Sequence, residues 1–226
     1  MMQQGITSMG ALMNSKRWLI PLTGLLFVVL AVVGSLIGGE PKDAGNPAQE
    51  IVDHYIDNKD SIIIGAAIFG LACVALVFFA GYLRTVLRRA EGEGGMLSAL
   101  TVVGAAIMAV GLAIDATILF AIAEAADDLE PASVQALQAF WDNDFMPIAV
   151  GLVVFLLSSG IAMVRYGVLP KWLGWIAIVL GIVGLTPLGF FAFLAGGLWI
   201  AVVSVMLALR ERRPSAGAVP TNVAVG

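Results

Sequence analysis

Trp172–Leu209, WLGWIAIVLGIVGLTPLGFFAFLAGGLWIAVVSVMLAL, runs for 38 residues without a charged side chain. As one helix it would be roughly 57 Å long, nearly twice the ~30 Å hydrocarbon thickness of a bilayer. It must fold back, and Thr186-Pro187-Leu188-Gly189 is the stretch within it that has turn chemistry. The reading is a helical hairpin, with a short fifth span over Trp172–Leu185 and a sixth over Phe190–Leu209. The fifth lies at the lower limit of length for a crossing, so two full spans and a re-entrant hairpin both stay open.

Working back toward the N-terminus, the same apolar signal predicts a fourth span over Met146–Val164 and a third over Leu97–Ala123. A second covers Ser61–Leu83 and continues helically through Arg89 until Gly92, Gly94 and Gly95 end it. The first, Trp18–Ile37, follows Lys16-Arg17 and carries Pro21 in its first turn, where a missing N–H costs least. It is longer than a signal-peptide apolar region and no small-x-small site follows it, so it reads as an uncleaved helix. Composition agrees. With 60% hydrophobic and 12% charged residues and a mean hydropathy of +0.97, the chain has too few charges to coat a water-facing surface.

Two polar connections have helical patterning of their own. Asn46-Pro47-Ala48-Gln49 reads as a helix start with Asn46 as N-cap, and Ile51, Val52, Tyr55 and Ile56 then recur on one face. Pro131 opens a second short helix whose apolar face carries Val134, Leu137, Phe140 and Trp141. Both helices immediately precede a span, giving the two halves of Trp18–Val164 the same layout. The expected fold is therefore all-α: a polytopic membrane helix bundle of six transmembrane helices with two short amphipathic extracytoplasmic helices. Its expected divisions are an N-terminal cytoplasmic segment (1–17), a six-helix transmembrane domain (18–209) and a disordered cytoplasmic tail (210–226).

Basic residues near span ends set the expected orientation. With the N-terminus inside, the cytoplasmic segments hold Lys16, Arg17, Arg84, Arg88, Arg89, Arg165, Lys171, Arg210, Arg212 and Arg213, against Lys42 and Lys59 outside. That bias places both termini in the cytoplasm, and the protein is expected in the cell (plasma) membrane. Trp18, Trp172 and Trp175 fall at the predicted inner interface, where indole rings are favoured.

Asp115 is the one charge inside the third span, and no other span offers Lys, Arg or His to pair with it. A carboxyl at that depth costs about 2.5–3.5 kcal/mol on insertion scales and usually faces the bundle interior or a cavity. It reads as a functional intramembrane carboxyl, for proton relay or cation binding, or more plainly as an acid hydrogen-bonded to Thr117 or a neighbouring helix. Glu50, Asp53, His54 and Asp57, at i, i+3, i+4 and i+7, form an outer-face ligand cluster on the first short helix, or simply its solvated side. No other feature points to a metal or cofactor: the chain has one histidine, His54, and one cysteine, Cys73. Phosphate-binding, hydrolase-elbow, zinc-protease and C-x-x-C motifs do not occur, and Ser158-Ser159-Gly160 lacks a basic partner at membrane depth, so no catalytic residue is assigned. Nothing supports nucleic-acid binding. The expected partners are the lipid bilayer and either a second copy or another membrane protein.

Glu50-Ile51-Val52-Asp53-His54-Tyr55, Leu83-Arg84 with Arg88-Arg89-Ala90-Glu91, and Val168-Leu169-Pro170-Lys171-Trp172-Leu173-Gly174-Trp175 together carry a family likeness. Over roughly Ala48–Leu209 the chain resembles a bacterial family of small multi-pass membrane proteins described only as a domain of unknown function. The resemblance implies a six-helix bundle and supplies no catalytic residues. The expected function is a non-enzymatic accessory protein or a bundle that binds a small ligand or lipid; the alternative is a small proton- or cation-coupled transporter or channel using Asp115.

Overall fold

The computed structural model describes residues 17–212, which contain eight α-helices. A 3₁₀ turn, Arg17–Leu22, leads into α1 (Thr23–Gly38); α2 (Ala48–Asp57) runs almost directly into α3 (Lys59–Glu91); α4 (Met96–Ala125) follows. Then come α5 (Pro131–Trp141), α6 (Phe145–Tyr166), α7 (Lys171–Val183) and α8 (Gly189–Arg212). Lys16, Arg213 and most of the two predicted terminal segments lie outside the described residues.

The apolar elements from α1 to α7 pack chiefly on their neighbours in sequence, α1 on α3, α3 on α4, α4 on α6 and α6 on α7, whereas α8 touches α7 but packs more on the N-terminal 3₁₀ turn and α1. Contact between α8 and α1 then closes the ring. Short connections make successive members antiparallel, so the basic connections meet at one end and the two acidic loops at the other. At the basic end Arg212 stacks on the Trp18 ring at 3.6 Å, Tyr82 donates to Glu211 at 2.8 Å, and Arg210 donates to the Val168 carbonyl. These contacts carry α8 through Arg212, so residues 210–212, expected in a disordered tail, are helical.

Among the described residues, five segments are long and apolar enough to cross a membrane: Trp18–Gly38, Lys59–Glu91, Met96–Ala125, Pro131–Tyr166 and Gly189–Arg212. The short one, α7, has 13 residues and reaches about 20 Å. Its hairpin with α8 turns where the proline predicts: the Thr186 hydroxyl donates to the Val183 carbonyl (2.7 Å) and accepts from the Leu188 amide (3.2 Å). The ring's outer surface is studded with exposed large apolar side chains, among them Leu36, Leu71, Phe78, Leu185 and Leu198. An apolar surface of that extent in water would be an aggregation liability; in lipid it is the expected exterior.

Pro21 falls in the 3₁₀ lead-in, one turn ahead of the regular helix. The Ser204 hydroxyl, fully buried on α8, inserts there, accepting from the Leu25 amide (2.9 Å) and donating to the Pro21 carbonyl (2.6 Å). It replaces the i→i−4 bond that these groups would otherwise share and ties the first and last elements together. The second predicted start is also displaced: Asn46 donates to the Asp43 carbonyl (2.8 Å) within the loop, and α2 begins after Pro47 without a side-chain cap.

Candidate functional site

The two short helices pack against each other over the acidic end. Ile51, Val52 and Tyr55 of α2 meet Val134 of α5, with Ile62, Ile122 and Ala123 of α3 and α4 beneath. The Tyr55 hydroxyl donates to Gln138 Oε1 (2.6 Å), and Gln138 donates to Asp142 (2.8 Å), whose other oxygen accepts from the Ala44 amide (2.9 Å). Gln135 donates to the carbonyls of Ala44 and Asn46 and straps the preceding loop to α5. Gln138, a polar residue, therefore takes the buried position that the apolar pattern assigned to Leu137 and Phe140, both of which are exposed. Burial, then the charges of Asp142 and Asp115, push the Tyr55 phenol well above its ordinary value, so it stays a donor.

Beneath this cap lies a cavity of about 550 Å³, within the range of small-molecule sites. The end of α1 with Glu40, the upper part of α3, Asp115 and Leu119 of α4, Trp141 of α5 and Phe190 of α8 wall it. At its side α1 and α3 cross backbone to backbone, and a Cβ on Gly65 would fall 2.7 Å from the Gly34 carbonyl oxygen.

Asp115 sits ten residues before the end of α4, about 15 Å along the helix axis. Its predicted local partner is engaged elsewhere, since the Thr117 hydroxyl donates to the Ala113 carbonyl (2.6 Å). The Trp141 indole and the Asp144 carboxylate are both close enough to act on the Asp115 carboxyl. Trp141 Nε1 and Asp144 Oδ2 are both buried without a hydrogen bond of normal geometry. With Glu40 and the C-terminal, electronegative end of α1 in the same wall, the cavity favours positive charge in an otherwise apolar space.

Of the predicted outer cluster, Glu50, Asp53 and Asp57 are exposed on α2, and Asp53 accepts from Gln49 (2.9 Å). His54 is half-buried, edge-on to the Tyr55 ring, with Nε2 buried and without a hydrogen bond. Among the described residues no three His, Cys, Asp or Glu side chains are placed to share a metal ion. Trp141 and Glu40 belong to the cavity, yet nothing in their spacing marks them: one reads as part of an apolar face, the other as a loop acid. Ser158 is engaged with Thr101 (3.1 Å) and the Val154 carbonyl (2.6 Å) between α4 and α6.

Burial first, then the Lys42 charge, lower the His54 pKa from its ordinary 6.5, against a smaller opposing effect of Asp57. The folded cap thus binds this proton more weakly than the unfolded chain does. The contribution of neutral His54 is complete above the ordinary value and is lost progressively as pH falls below it. Amides of Ala48–Asp57 are expected to lose protection from hydrogen exchange, corrected for intrinsic rate, between pH 7.5 and 5.5. His54→Gln should flatten that dependence; a wild-type cap equally protected at both values would refute it.

A ring of helices clad in apolar side chains, capped at one end over a carboxylate-lined cavity, is the architecture of a polytopic membrane bundle. Residues 22–212 match the family described as Domain of unknown function (DUF4386), and the chain belongs to that family. No curated protein and no solved structure matches it.

Proposed function

We propose that this protein is a non-enzymatic binding bundle of the bacterial plasma membrane, with α7 as a short sixth crossing and both termini in the cytoplasm. Its ligand is a small amphiphile with a positively charged head, held in the Asp115 cavity under the extracytoplasmic cap. One observation carries this reading: Asp115 opens onto a cavity instead of a filled helix contact. The cavity's polar lining, Ser35, Glu40, Asp115 and the Trp141 indole, includes no histidine, lysine or cysteine to build a nucleophile. The skew of basic residues supports the orientation.

The test is equilibrium binding of dodecylamine, with dodecanol as the uncharged control, to the purified chain in nanodiscs. Wild type is expected to prefer the amine, and Asp115→Asn to lose about tenfold or more of that affinity while dodecanol is unchanged, the range of a hydrogen bond to a charged group. Equal amine binding by wild type and variant would overturn the proposal. The transporter alternative needs a path toward the basic end, where α4 and α6 touch backbone to backbone at Gly104 and Phe155. Cation or proton flux in reconstituted vesicles, abolished by Asp115→Asn, would favour it.

A further inference from the structure

A second cavity, about 400 Å³, opens at the basic end between α3, the N-terminal 3₁₀ turn and the end of α8. Its wall is apolar, built from the exposed Ile20, Val77 and Phe78 and the half-buried Val86, and Gly81 leaves an open slot in it, because a Cβ there would meet nothing within 4 Å. Its mouth carries Arg89 and Glu211. Val77 to Arg89 is twelve residues of continuous helix, about 18 Å, enough to run from acyl-chain depth to the headgroup layer.

The two charges at the mouth do not neutralise each other. Among the described residues the one ion pair is Lys59–Glu124, at the opposite end, so Arg89 and Glu211 share a cavity without pairing. Glu211 accepts from the Tyr82 hydroxyl, which fixes it at the α3 side of the mouth. A guanidinium fork recognises phosphate oxygens, and a carboxylate beside it recognises an ammonium. A carboxylate at the same mouth also disfavours a purely anionic headgroup.

We infer that this cavity is a binding site for one molecule of a zwitterionic aminophospholipid, with its phosphate on Arg89, its primary ammonium on Glu211 and an acyl chain in the Gly81 slot. The site is independent of the Asp115 cavity, at the other end of the bundle.

The experiment is native mass spectrometry of the full chain, released from micelles containing equimolar phosphatidylethanolamine, phosphatidylcholine and phosphatidylglycerol. Wild type should retain phosphatidylethanolamine over each of the others by about threefold, the scale of an exposed charge pair. Arg89→Gln should lower retention of all three lipids. Glu211→Gln should erase the preference for phosphatidylethanolamine over phosphatidylcholine and raise phosphatidylglycerol. Gly81→Leu should reduce all three by filling the slot. Both charged residues are exposed, and thermal midpoints measured in parallel confirm folding of each variant. Retention indifferent to headgroup, or highest for phosphatidylglycerol, would overturn the assignment, as would Glu211→Gln without effect.

Discussion

Gly151→Ala is expected to destabilise the bundle by about 3 kcal/mol, the upper end of overpacking costs, although it adds a single methyl group to a helix. The reason lies in the α4–α6 contact, the most extensive between two helices here. A Cβ on Gly151 would fall 2.6 Å from Met108 Cα and 2.8 Å from the Gly104 carbonyl oxygen; a Cβ on Gly104 would fall 2.8 Å from Phe155 Cα. Each glycine is thus met by the opposing backbone, which has no rotamer to move aside. The helices must separate, and Met108, Leu152 and Phe155, all buried around the crossing, lose their mutual contacts. Gly70→Ala is the control: nothing lies within 4 Å of its Cβ position, so the better helix propensity of alanine should leave stability unchanged or raised. Unfolding midpoints in one detergent decide it. A Gly151→Ala midpoint equal to wild type would mean that α4 and α6 do not cross this closely.

The same crossing illustrates what could be read from the chain. Apolar runs bracketed by charges and glycines locate the helices to within a few residues, because a bilayer tolerates few polar residues and a helix ends where Gly92 or Gly167 adopts positive φ. Small residues at helical spacing are a weaker signal. Gly104 and Gly111 both face α6, whereas Gly70 faces open space. Which small residue meets a partner depends on helix rotation, and closure of the ring by α8 on α1 depends on tertiary fit that no local pattern encodes. Gln138 shows the limit from the other side. Hydropathy places it in water, but a buried Tyr55 hydroxyl needs an acceptor, and that need turns α5 so that Leu137 and Phe140 face out. Asp115 is conspicuous as the lone acid in an apolar run. Its cavity is not, because the wall is assembled from α1, α3, α5 and α8 as well as α4.

Trp199→Ala is the second large effect, expected to cost about 3–5 kcal/mol. At 13 residues, α7 covers only about two-thirds of a bilayer's hydrocarbon thickness, so span length alone does not hold it in register. Two contacts do. On one side α7 lies against α6, where a Cβ on Gly160 would fall 2.7 Å from the Gly174 carbonyl oxygen. On the other, the Trp199 indole of α8, 3% exposed, donates to the Leu173 carbonyl at 2.9 Å and meets the Phe155 ring edge-on at 6.0 Å. One side chain thereby joins α6, α7 and α8, and alanine would leave a void at that junction. The consequence reaches the acidic end, because Phe190, at the head of the same helix, is part of the Asp115 cavity wall. A freed hairpin should therefore weaken dodecylamine binding as well as lower the unfolding midpoint. Trp199→Phe separates the contributions: it keeps a ring against Phe155, removes the donor, and should cost about 1 kcal/mol. A cysteine introduced at Leu188, in the Cys73→Ala background, reports the hairpin directly. If Trp199→Ala lowers the midpoint without changing the labelling rate at that cysteine, the indole fills space but does not pin the turn.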